Sequence, residues 1–119
     1  MNENMKEELI KWGVTWNELS ERFMGKDELI AKFMFKFIND DSFSLLSENL
    51  QKNNAAEAFK ACHALKGVTG NLSLDGMKKE VMELTEILRA GKLEGTEDLF
   101  KIIEEKYTSL IEILKKYAK

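Results

Sequence analysis

Ala58-Phe59-Lys60-Ala61-Cys62-His63-Ala64-Leu65-Lys66-Gly67-Val68-Thr69-Gly70-Asn71-Leu72 is the stretch that decides the fold. Ala58, Cys62, Leu65, Thr69 and Leu72 recur at alternating spacings of four and three, which lays one continuous stripe along a helix. The stripe stays in phase through Gly67 and Gly70, so the helix is expected to run past both glycines. Successive residues turn about 100° around a helix, which sets His63 at the edge of the buried stripe, facing groove or solvent. Phe59, Lys60, Lys66, Gly67 and Gly70 share its side. Cys62 is adjacent in sequence but faces elsewhere, so a Cys–His nucleophile pair is not expected.

The same periodicity extends outward. Lys6 to Trp12 is expected to form a short helix. Thr15-Trp16-Asn17-Glu18 has the form of a capping box and opens a second, which Gly25 can close. A long helix is expected from Asp27 to about Lys52, carrying Leu29, Ile30, Phe33, Phe37, Ile38, Phe43, Leu45, Leu46 and Leu50, with a break or bend at residues 39–42. Within Phe33, Phe35 and Phe37 a division between core and surface is expected, with Phe35 a candidate docking residue. Asn54 to Glu57 starts the central helix. After a turn at residues 73–75, another carries Met77, Val81, Leu84 and Leu88 and ends at Gly91. Thr96 is expected to cap the last, with Leu99, Ile102, Ile103, Leu110, Ile113 and Leu114 inward. Trp12 and Trp16 are expected to fasten the first helices, and Cys62 to be a small core residue. The implied fold is all-α: an antiparallel up-and-down four-helix bundle with one or two short extra N-terminal helices, in a single domain over residues 1–119.

Composition agrees and excludes. The chain has 119 residues and no proline, as suits a helical protein. Eighteen Lys and Arg against 21 Asp and Glu leave a net charge of −3, which argues against a nucleic-acid-binding domain. No run reaches the ~18 apolar residues that suggest a membrane span. With one cysteine, no internal disulfide and no signal-like N-terminus, a cytoplasmic location is expected. A single histidine and a single cysteine make no zinc or di-iron ligand set, and no metal site is expected in this chain. No heptad seam asks for a dimer, so a monomer is expected.

Each glycine inside a helix costs about 1 kcal/mol relative to alanine. Two on the histidine's face ask for a reason, and access for a partner to the imidazole is one. Lys60 and Lys66 flank His63 three residues away on either side. Residues 55–79 carry four lysines against Glu57 and Asp75, a small basic field in an acidic chain. Cations so placed would stabilise a phosphoryl group on the ring.

His63-Ala64-Leu65-Lys66-Gly67, preceded by small residues and followed by Gly70-Asn71-Leu72, resembles the signature of the histidine-containing phosphotransfer (HPt) domain family. The resemblance implies a helical bundle with its histidine exposed mid-helix. It implies that His63 accepts a phosphoryl group from a receiver-domain aspartate, or from a sensor or hybrid histidine kinase, and passes it to another receiver in a two-component phosphorelay. Lys66 would contact the phosphoryl oxygens and Gly67 would leave room for the partner. Lys60 as a phosphoryl contact and Gly70 as an access position rest on spacing alone. The family often has glycine where this chain has Ser73, which can cap the following helix instead. With no carboxylate cluster near His63, magnesium and the acceptor carboxylate are expected from the receiver domain of the partner response regulator, leaving this chain a phosphocarrier and not an enzyme. The alternatives are a helical-bundle interaction module without phosphotransfer, and a histidine-kinase fragment without its ATP-binding part.

Overall fold

A computed structural model describes residues 1–118. Among them are seven helices: α1 (Glu3–Trp12), α2 (Trp16–Arg22), α3 (Asp27–Phe37), α4 (Ser42–Gln51), α5 (Ala55–Asn71), α6 (Asp75–Arg89) and α7 (Thr96–Tyr117). Helices α4 to α7 pack each on the next in chain order, and α1 and α3 both lie against α7. The buried faces meet in one core, in which Leu65, Met77, Leu84, Ile103 and Leu110 are fully enclosed.

The expected long helix from Asp27 is two helices. The carboxylate of Asp40 accepts the Ser42 N–H at 2.9 Å. That bond offers the backbone an alternative to the helical ladder, and the chain turns at residues 38–41 before α4 begins. The two aromatic ends of the break are held by α7: Phe43 stacks on Tyr107 with ring centroids 4.0 Å apart, and Phe37 meets the same ring edge-on at 5.8 Å.

Several local expectations give way to long-range partners. Thr15 precedes α2 but makes no cap bond with its side chain. Its hydroxyl donates instead to Asp75. Glu18, expected to complete a capping box, accepts hydrogen bonds from Arg22 and Ser73. These partners hold its carboxyl below the usual glutamate range, the Ser73 hydroxyl contributing most. Thr96 is the first residue of α7 and not its cap; Gly95 takes that position in the left-handed region, and the Thr96 hydroxyl donates to the Leu93 carbonyl at 2.7 Å. Ile102, Leu45 and Phe33 are about 40% exposed, so the apolar faces of their helices are narrower than their sequences suggest, while Met34 is buried in α3. Phe35 is half-buried against the core, and Phe33 is the exposed ring of its run.

The N-terminal helices are fastened as expected of Trp12 and Trp16. Trp16 is buried, and the Trp12 indole donates to the Lys106 carbonyl at 2.9 Å. At Gly13, where φ is +132°, the end of α1 rests backbone to backbone on α6. A Cβ at Gly76 would stand 2.6 Å from the Trp12 carbonyl oxygen. Midway along α1, Glu8 accepts from Lys116 and Tyr117, tying the helix to the last turn of α7.

Candidate functional site

Helix α5 begins where Asn54 accepts the Glu57 N–H at 3.1 Å. Glu57 does not answer back as in a full capping box; its carboxylate pairs with Lys60 at 3.4 Å. The helix runs unbroken through Gly67 and Gly70, as its apolar stripe requires. It ends at Asn71, and Ser73, two residues on, has a left-handed φ of 51°. There the Ser73 N–H donates to the Gly70 carbonyl at 3.3 Å and the Leu74 N–H to the Thr69 carbonyl at 2.9 Å. This is the Schellman pattern, with serine in the position that glycine fills at least cost. Ser73 therefore closes α5 and does not cap α6, whose flanking residue is Leu74. The Ser73 hydroxyl donates to Glu18 and accepts from Arg22 at 3.0 Å each, contacts that glycine could not make.

Ala58, Ala61, Cys62, Leu65 and Thr69 form the buried side of α5. The Cys62 thiol lies 3.2 Å from the Thr85 hydroxyl, and burial pushes its pKa up. A buried protonated thiol is a poor nucleophile, in keeping with its place in the core. His63, one residue on, is exposed, half-way along the helix. Its ring stacks on Phe59, one turn earlier, with centroids 5.7 Å apart and planes 25° from parallel.

The other residues singled out from the sequence gather around this imidazole. Lys60 is exposed on the α4 side and paired with Glu57. Lys66 is half-buried and has no salt-bridge partner among the described residues. A Cβ added at Gly67 or at Gly70 would meet nothing within 4 Å. Neither glycine is needed for packing inside the molecule, and both leave the surface beyond His63 low. On the α4 side, a groove of about 460 Å³ runs past Leu45, Lys60, Ala61 and Ala64. Toward the end of α5, a depression of about 330 Å³ is floored by Phe23, Phe33, Phe37, Val68 and Leu72. Among the described residues, no three His, Cys, Asp or Glu side chains gather in a way that could hold a metal ion.

A family model described as "Hpt domain" matches residues 34–114, well over half of the chain, with α5 and the His63 motif inside it. The chain belongs to the Hpt domain family. An Hpt domain is a phosphocarrier rather than a catalyst, and membership places the chain in histidine phosphotransfer within two-component signalling, where its partners are receiver domains or kinases. The matched range opens inside α3, so α1, α2 and the first turns of α3 lie outside the part of this Hpt domain that the family model covers. Neither the curated proteins nor the solved structures yielded a match. No helix among the described residues is long and apolar enough to cross a membrane.

Sequence reasoning named every residue of α5 around the histidine but missed the contribution of α6. The Arg89 guanidinium lies 4.9 Å from the Phe59 ring centroid, on the ring that stacks with His63, and Glu86 holds Arg89 at 3.2 Å. Thirty positions separate Phe59 from Arg89, and no local pattern connects them.

Proposed function

We propose that His63 is the phosphoacceptor of this Hpt domain and that the chain carries a phosphoryl group between receiver-domain aspartates, or from a hybrid histidine kinase to a receiver. One observation supports this above the rest: the one imidazole of the chain stands exposed half-way along a helix that continues through two glycines with open space over them. The unprotonated ring nitrogen attacks phosphorus, the bond to the aspartyl oxygen breaks, and the carboxylate leaves with the electron pair. The exchange is reversible, as a carrier requires.

Lys66, with no ion-pair partner to give up among the described residues, is the cation we assign to the phosphoryl oxygens. Lys60 has first to leave Glu57. An exposed pair three residues apart on a helix is worth only about 0.3–0.5 kcal/mol, so a dianionic group nearby can draw it away. Gly67 and Gly70 are assigned to partner access. Magnesium and the in-line acceptor carboxylate belong to the receiver domain in this scheme, and the chain acts in the cytoplasm.

The test is incubation with a phosphorylated receiver domain and magnesium. Label passes to the wild type and not to His63→Gln, whose helical circular dichroism is unchanged because the ring is exposed. Label on the variant at wild-type level, or none on the wild type, overturns the proposal and favours an interaction module without phosphotransfer.

A further inference from the structure

Phe59 and His63 sit one turn apart on the same side of α5, their rings nearly parallel at 5.7 Å. Phe59 is half-buried and packs against the core, whereas His63 is exposed. An exposed side chain ordinarily exchanges freely among its rotamers. This one has an aromatic surface to lie on, and that surface is itself held. Arg89 of α6 covers the Phe59 ring at 4.9 Å, and Glu86 pairs with the Arg89 guanidinium at 3.2 Å. The guanidinium from α6 and the imidazole of α5 thus both lie against the Phe59 ring. Further along α5, a Cβ added at Gly67 or Gly70 would meet only open space.

We propose that Phe59 is a positioning residue for the phosphotransfer reaction of His63: by stacking on the imidazole it restricts the ring to the orientation that presents its nitrogen outward, and Arg89 steadies Phe59 in turn. This rests on His63 being the phosphoacceptor. The physical basis is pre-organisation. A nucleophile already held near its attacking geometry does not lose rotamer freedom in the transition state, and modest loosening of such geometry costs an order of magnitude or more in rate. Arg89 acts through Phe59 and is not required to touch the phosphoryl group.

The test compares Phe59→Leu, which keeps an apolar side chain on the core, with Phe59→Tyr, which keeps the ring. Two phosphodonors are used: a phosphorylated receiver domain, and phosphoramidate as a small donor that needs no docking surface. With phosphoramidate the donor P–N bond breaks, ammonia leaves, and the new P–N bond forms to the imidazole. Because the chain has one histidine, its ring protons are read without ambiguity by NMR. Phe59→Leu is expected to slow phosphorylation about tenfold with both donors. The His63 ring signals should lose the shift imposed by the neighbouring aromatic current, and the side-chain couplings should average. Phe59→Tyr should restore rate, shift and couplings. Arg89→Ala should move all three in the same direction by a smaller factor, about two- to threefold.

An unchanged rate for Phe59→Leu with phosphoramidate overturns the proposal, including the case in which transfer from the receiver alone is slowed, since Phe59 would then be a docking contact. Failure of Phe59→Tyr to rescue overturns it as well. If wild-type protein accepts from neither donor, it is the assignment of His63 as phosphoacceptor that fails; normal wild-type transfer beside an unaffected Phe59→Leu sinks the positioning role alone.

Discussion

Gly67 offers the sharpest test of why glycines stand inside α5. It lies four residues past His63 and well within the helix, its φ is not positive, and a Cβ built there meets nothing within 4 Å. No neighbour has to move to admit a side chain. Replacement by alanine should therefore recover nearly the full helix-propensity difference, about 0.8–1.0 kcal/mol in favour of the folded state. For a domain of this length, with an unfolding entropy of about 2.1 cal/mol/K per residue, that raises the melting temperature by about 3–4 °C. Gly67→Gln should be stabilised nearly as much, because glutamine is also a good helix former, but its side chain projects over the surface that a partner must approach. Its transfer from a phosphorylated receiver domain should fall about tenfold or more, the equivalent of 1.4 kcal/mol or more in the transition state, while phosphorylation by phosphoramidate stays within a factor of two of wild type, roughly 0.4 kcal/mol. Thermal unfolding by circular dichroism and initial transfer rates measure the two effects. Opposite signs, a more stable protein and a poorer partner, cannot come from general damage to the fold. A lower melting temperature for Gly67→Ala would show a packing role for this glycine. Unchanged receiver transfer by Gly67→Gln would remove access as its reason.

Three further outcomes follow from particular contacts. Lys66→Ala should slow transfer by about tenfold to a hundredfold, the worth of one charge-assisted hydrogen bond of roughly 1.5–3 kcal/mol, and leave thermal unfolding nearly unchanged; unfolding under native conditions would show instead that the half-buried stem of Lys66 carries the fold. Gly76→Ala places a methyl group 2.6 Å from the Trp12 carbonyl oxygen. It should cost about 1–3 kcal/mol in urea unfolding as α1 is pushed off α6, and a neutral result would contradict the close approach of these two backbones. Glu8 is held below the usual glutamate range, first by its bond from Lys116 and then by that from Tyr117. A carboxyl with a folded-state pKa below its unfolded one contributes stability that is complete above the ordinary glutamate range and is lost as pH falls through the depressed value. Glu8→Gln should flatten that acid limb of the stability profile; an acid limb that overlays the wild type would show that the Glu8 contacts contribute nothing in solution.

Much of the candidate site's geometry was readable in advance because it lies on one helix. The phase of Ala58, Cys62, Leu65 and Thr69 placed His63 outside the core and carried α5 through both glycines, and the structure agrees at each of these positions. The misreadings lie where a side chain had a choice between a neighbour in sequence and one in space. Glu18 looked like half of a capping box, but the turn after α5 brings Ser73 to it. Ser73 looked like a cap for α6, but the left-handed residue that closes α5 was needed at that position. Thr96 looked like a cap for α7, but Gly95 already supplied the left-handed turn. Phe33, Leu45 and Ile102 fit apolar periodicities and still face out, because a helix buries only as wide a stripe as its neighbours cover.

The amino-acid order alone determined the class of fold and the exposed position of the one imidazole, because helical phase depends on residues three and four apart and needs no knowledge of what packs against them. Only the tertiary structure decided what α6 brings to the ring on which that imidazole stacks. The Phe59 ring and the guanidinium of Arg89 meet because α5 and α6 run side by side, and the packing of one helix on another is a property of the folded whole that no local spacing encodes.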